Sequence, residues 1–201
     1  MNALLVKDWM TSKGLIKNYL LILVIYAVIA YVNDNVYLFS GLLIMIPLLM
    51  VINSMAYDER ANTNKLMLAS GISRKQLALS KYVFALILII VMTVVNTLVV
   101  GMIVDLSEAV LTSLFMGLIG MTYVSLLLPV IYKFGTEKAR IYMMIGFLIP
   151  FAGVIALSPL MTLSSVELNE MVMMTIIVLV CLILIGASIL LSYHIVERKD
   201  Y

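Results

Sequence analysis

The chain has 201 residues, 64% of them hydrophobic, with a mean hydropathy of +1.16 and only 12% charged. A soluble domain is roughly half apolar, so this composition excludes one and needs lipid as its solvent. The net charge is +2, and the single cysteine, Cys181, lies inside an apolar run, which excludes a disulfide framework within one chain.

Residues 1–14 come first. Leu5, Val6, Trp9 and Met10 can share one side of a helix while Lys7, Asp8 and Thr11 take the other, as in an interfacial helix with Trp9 as its membrane anchor. A disordered polar tail is the alternative. Six apolar runs follow: Leu15 to Val32, Tyr37 to Ala56, Tyr82 to Val104, Val110 to Tyr132, Ile141 to Ser158 and Met171 to Ser192. Each is long enough, at about 1.5 Å per helical residue, to cross a hydrocarbon core of about 30 Å. They are apolar on every face, whereas barrel strands would alternate. The expectation is an all-α integral membrane protein with six transmembrane helices in a single domain over 1–201. No cleavable signal peptide is expected, because the first run is long and more of its kind follow.

Charge then orients the spans. Every lysine and arginine falls on the side that holds both termini, and the opposite side carries only Asp34, Asp105, Glu108, Glu167 and Glu170, a division of about +7 against −5. By the positive-inside rule the basic side, with both termini, is cytoplasmic. No ionisable residue stands inside a span away from its ends, where an ion-coupled carrier would hold its proton or cation. Pro47, Pro129 and Pro150 fall inside spans and can kink them, as packing irregularities or as hinges.

One cytoplasmic segment, 57–81, is long enough to hold structure of its own. Asp58 and Glu59 suit the positive end of a helix of about three turns, and Ser70-Gly71 offers its stop. Ser73 and Gln76 form a capping box for the next helix, with Ile72 stapled onto Leu77. That helix needs no break through Lys81 and Tyr82 into the third span, so the turn is joined mechanically to a membrane helix. A basic loop anchored to anionic lipid through Arg74, Lys75 and Lys81 is the competing reading.

The order of a short N-terminal segment, two spans, Tyr57-Asp58-Glu59-Arg60, the stretch Leu68-Ala69-Ser70-Gly71-Ile72-Ser73-Arg74-Lys75 leading to Ser80-Lys81-Tyr82, and four more spans resembles the permease subunit of bacterial type-2 ABC exporters, in a short form without a large extracellular domain. The family commonly has a proline where this chain has Gly71. The resemblance implies an amphipathic N-terminal elbow helix over 1–14 and a coupling helix at about Asp58 to Ala69 that sits in a groove of a separate ATPase subunit. Asp58, Glu59, Arg60, Asn62, Lys65 and Leu66 would meet that ATPase, and Ser73, Arg74 and Lys75 would hold the joint to span three. It also implies pairing with a second permease copy or a related permease, contact with membrane lipids, ATP and magnesium on the partner subunit, and the bacterial cytoplasmic membrane as location. The loop Pro159 to Glu170, with Ser164 and Glu167 as a capping box, can form re-entrant helices as in the family or start the last helix early.

No enzyme is expected. One histidine, His194, and one cysteine cannot make a zinc site, Ser70-Gly71 lacks a histidine base, and no Gly-rich phosphate loop with a lysine occurs. Nor is a nucleic-acid partner expected. The cargo implied is apolar or amphipathic: a peptide toxin, a lipid or a drug. A non-transporting sensor, immunity or scaffold protein that binds anionic lipid through its basic loops is the alternative function.

Overall fold

A computed structural model of the chain describes residues 2–33, 36–142, 144–146 and 170–198. The described residues are helical, joined by short turns: α1 (Asn2–Val32), α2 (Val36–Arg60), α3 (Thr63–Ala69), α4 (Arg74–Val100), α5 (Leu106–Phe134) and α6 (Glu170–Arg198), with further helical residues at 136–142 and 144–146. Five of these helices are long and apolar enough to cross a membrane. Most of the predicted fifth span, 141–158, and the loop 159–169 lie outside the described residues.

Two expectations are corrected. The first is the separate elbow over 1–14: α1 is a single helix of 31 residues that passes Gly14 without a break. Glycine weakens a helix without ending it. At about 1.5 Å per residue α1 is about 46 Å long against a core of about 30 Å, so surface segment and span are one rod. Its faces also differ from the sequence reading. Leu4, Asp8 and Ser12, four residues apart, are buried against the bundle, while Val6, Trp9 and Met10 face outward.

The second correction is the helix expected over Asp58 to Ala69. Asp58, Glu59 and Arg60 form the last turn of α2, and α3 is a separate piece of seven residues. The break lies at Asn62, in the left-handed conformation (φ 49°) that asparagine adopts more readily than most residues. Ala61 N–H still bonds the Tyr57 carbonyl at 3.0 Å, so α2 runs to its end before the chain turns. α3 then stops as expected. Ile72 N–H reaches the Met67 carbonyl at 3.2 Å and Gly71 N–H that of Leu68 at 3.1 Å, a Schellman closure with Gly71 at φ 86°. Proline, fixed near −65°, could not take this place.

The capping box at the start of α4 is present. Ser73 Oγ accepts Gln76 N–H at 3.2 Å, and Gln76 Oε1 accepts Ser73 N–H at 3.3 Å. From there α4 runs unbroken to Val100, where Gly101 to Val104 form turns instead of completing the predicted span. Pro47 and Pro129 sit inside α2 and α5, which remain single helices.

In the bundle α2 is central: 72% of its most apolar stretch is buried, against 6% for α1, which packs on α2, and 11% for α6, which packs on α4 and α5. Leu43, Leu48 and Ile52 of α2 pack with Ala85 and Leu88 of α4 and with Val124, Leu128 and Ile131 of α5. Lipid tails are as apolar as leucine, so close approach and interhelical hydrogen bonds must hold such helices together. Gly117 of α5 provides the first, since a Cβ there would lie 2.6 Å from Thr93 Oγ1 of α4. Buried Asn96 provides the second, donating to Ser40 Oγ of α2 at 3.2 Å and to Ser113 Oγ of α5 at 2.8 Å.

Candidate functional site

One end of the bundle gathers the start of α1, the end of α2, all of α3, the start of α4, the residues after α5 and the end of α6. Three sets of contacts hold it. In the first, two lysines and two aspartates from three helices meet. Lys81 Nζ of α4 lies 2.7 Å from Asp8 Oδ1 of α1 and 2.6 Å from Asp58 Oδ2 of α2. Lys7 Nζ lies 2.6 Å from Asp58 Oδ1 and 3.2 Å from Asp8 Oδ1. Ser54 Oγ donates to Asp8 at 2.9 Å and accepts from Lys81 at 2.8 Å. Asp8, Ser54, Asp58 and Lys81 are all buried, so the charges cancel where water is scarce.

The second set ties α4 to α6. Arg74 donates to the Glu197 carbonyl at 2.6 Å, and Lys75 lies 3.4 Å from the Glu197 carboxylate and 4.4 Å from the centre of the Tyr193 ring. Two turns deeper, Tyr82 Oη shares hydrogen bonds with Ser188 Oγ at 2.8 Å and Ser192 Oγ at 2.7 Å, and Ser188 in turn bonds the Ser125 carbonyl of α5. The third joins the end of α2 to the residues after α5: both carboxylate oxygens of Glu59 accept the Thr136 N–H, at 3.1 and 3.0 Å.

α3 hangs from this frame. None of its residues is buried, and Leu66 is 68% exposed. Behind it a cavity of about 140 Å³ is lined by Asp58, Glu59, Asn62, Lys65, Lys81 and Tyr132, among others.

Of the residues singled out from sequence, Arg60, Asn62, Lys65 and Leu66 are exposed around the corner and α3. Asp58 is turned inward and Glu59 is engaged by Thr136. Ser73 caps α4, and Arg74 and Lys75 hold α6. Trp9 is half exposed on the outer face of α1. Sequence reasoning missed the roles of Lys7, Asp8 and Ser54, and it gave Lys81 a charge role only in the competing lipid-anchor reading. A lysine seven residues inside a helix that continues as a span was the available signal.

Long apolar helices bound by polar contacts at one end define a multi-pass α-helical membrane protein. The chain belongs to the family described as ABC-2 family transporter protein, whose profile matches residues 3–197. It is therefore the membrane permease part of an ABC transporter. A search of curated proteins returned no match.

Proposed function

We propose that this permease, as two copies or paired with a related permease, combines with two separate ATPase subunits and exports an apolar or amphipathic substrate across a bacterial cytoplasmic membrane. ATP and magnesium would bind on the ATPase subunits. The end of the bundle that carries α3 is then the cytoplasmic end, in keeping with its lysines and arginines.

The observation that carries this reading is α3 itself: a two-turn helix with no buried residue, presented on a frame held by buried charge. A short helix gains little stability alone, and this one leaves Leu66 exposed and Met67 and Leu68 only partly buried, so it gains little by burial. Its fixed placement suits a surface that a partner covers. Arg60, Asn62, Lys65 and Leu66 form the face toward the ATPase. Asp58 and Glu59 hold that face from behind, and Ser73, Arg74 and Lys75 pass its movement into α4 and α6. An apolar groove of about 690 Å³ between α4, α5 and α6, with Ile89, Ile90, Leu118 and Ile185 in its walls, agrees with an apolar cargo.

The test is copurification. Lys65→Glu combined with Leu66→Arg alters only exposed side chains of α3, so the permease should stay folded in the membrane while its ATPase no longer copurifies. Unchanged copurification would remove α3 from the interface. A wild-type chain that brings down no ATPase would favour the lipid-binding scaffold.

A further inference from the structure

The helical run that starts at Thr136 has a gap at its beginning. The first N–H groups of a helix have no partner within it and are usually met by a side chain at the position just before. Here that position is Gly135, whose carbonyl accepts the Ala139 N–H at 3.2 Å. Gly135 also ends α5, donating its own N–H to the Ile131 carbonyl at 2.9 Å, and it does so at φ 85°, where side chains are strained. The backbone requires glycine, and glycine has no side chain with which to cap.

Glu59 fills the gap from another helix. Beyond its bonds to the Thr136 N–H, its Oε2 accepts the Thr136 hydroxyl at 2.5 Å. A Cβ on Gly135 would stand 3.4 Å from Glu59 Oε1, so the carboxylate packs directly on the glycine. A negative group is also favoured at a helix N-terminus by the aligned peptide dipoles.

We propose that Glu59 is a brace that fastens the corner between α2 and α3 to the helix beginning at Thr136, so that the two turns at this end of the bundle move as one body. Its role in transport rests on the permease reading; the brace itself does not. Movement of α3 would then leave by two routes, through Ser73 into α4 and through Glu59 into the helix after Gly135. Glu59, Arg60 and Asn62 are all exposed, but both carboxylate oxygens of Glu59 are engaged by Thr136, so Glu59 is a positioning residue and Arg60 and Asn62 are left to meet a partner.

Spin labels on cysteines at Ala61 and Lys138, in a Cys181→Ser background reconstituted in nanodiscs, read the brace directly. The otherwise wild-type chain should give one narrow distance distribution. Glu59→Ala should widen it, and Glu59→Gln, which keeps an oxygen to accept the N–H, should stay close to the parent. A control pair at Leu20 and Val91, on the outer faces of α1 and α4, should remain narrow in both. A Glu59→Ala distribution as narrow as the parent's overturns the brace. If Glu59→Ala disturbs the control pair as well, Glu59→Met decides, since it keeps the length of the side chain and removes both carboxylate oxygens: widening with a quiet control supports the brace, and no widening overturns it. In complex with the copurifying ATPase, Glu59→Ala should lower ATP turnover several-fold while copurification holds. Loss of copurification would assign Glu59 to the partner interface instead. Absence of any ATPase with the wild-type chain would end the permease-with-ATPase reading and leave the distance test standing.

Discussion

Lys81 has the most to lose at the scale of single residues. It is the shared cation of Asp8 and Asp58, on two different helices, and its side chain is almost wholly withdrawn from solvent. Lys81→Met keeps most of the stem and removes the charge, which leaves two buried carboxylates with only Lys7 between them. Breaking a buried pair from one side costs about 3–5 kcal/mol, because the remaining charge is stranded. Thermal unfolding in detergent should therefore show a large loss for Lys81→Met. Adding Asp58→Asn should recover part of it, since Asp8 would then be balanced by Lys7 at 3.2 Å. A single variant as stable as the wild type would show that the four charges are not packed together in the folded protein.

Helix α3 depends on its two ends more than on its own seven residues. Seven residues lie below the length at which an isolated helix holds in water, so the flanking turns must fix it. Ser73→Ala should cost about 1 kcal/mol through the lost cap. Gly71→Pro should loosen the turn further, because φ 86° lies outside the range of proline. Asn62→Gly should change little, since glycine accepts the left-handed conformation at least as well. Hydrogen exchange of the amides in α3 and the first turn of α4 checks all three. The expected order of protection is wild type and Asn62→Gly together, then Ser73→Ala, then Gly71→Pro.

Across the whole molecule, the contacts put the start of α1, both ends of the α3 segment, Thr136 and Glu197 at one end of the bundle, and thus on one side of the membrane. By the positive-inside rule, the asymmetry of basic residues leads us to expect that side in the cytoplasm. Single cysteines in the Cys181→Ser background test this with an impermeant thiol reagent on intact cells. Ser107, exposed in the first turn of α5, should label from outside. Lys65 and Lys138, both exposed at the other end, should label only after permeabilisation. Lys138 serves better than its neighbour Thr136, which is buried beneath Glu59. Labelling of Lys65 or Lys138 from outside would reverse the orientation.

Much of this was legible in the order of residues alone. Length and apolarity of a run determine that it spans, and Ser73, Gln76 and Gly71 act on backbone groups within a few positions of themselves, so the membrane class, the turn at Gly71 and the start of α4 followed from the sequence. The end of α2 did not. Asp58 and Glu59 read as the favourable start of a helix because their carboxylates suit a positive helix end. The fold instead gives Asp58 two lysines, from α1 and α4, and gives Glu59 the start of a different helix. Lys81 and Asp8 stand 73 positions apart, and Glu59 and Thr136 stand 77 apart. No local periodicity records such pairings. The sequence by itself determined that five long apolar runs form helices able to cross a membrane and how the turn at Gly71 closes, because those depend on hydration and on neighbouring backbone. Only the tertiary structure decided which charges face inward, because a buried charge is tolerated only where another helix brings its counter-charge.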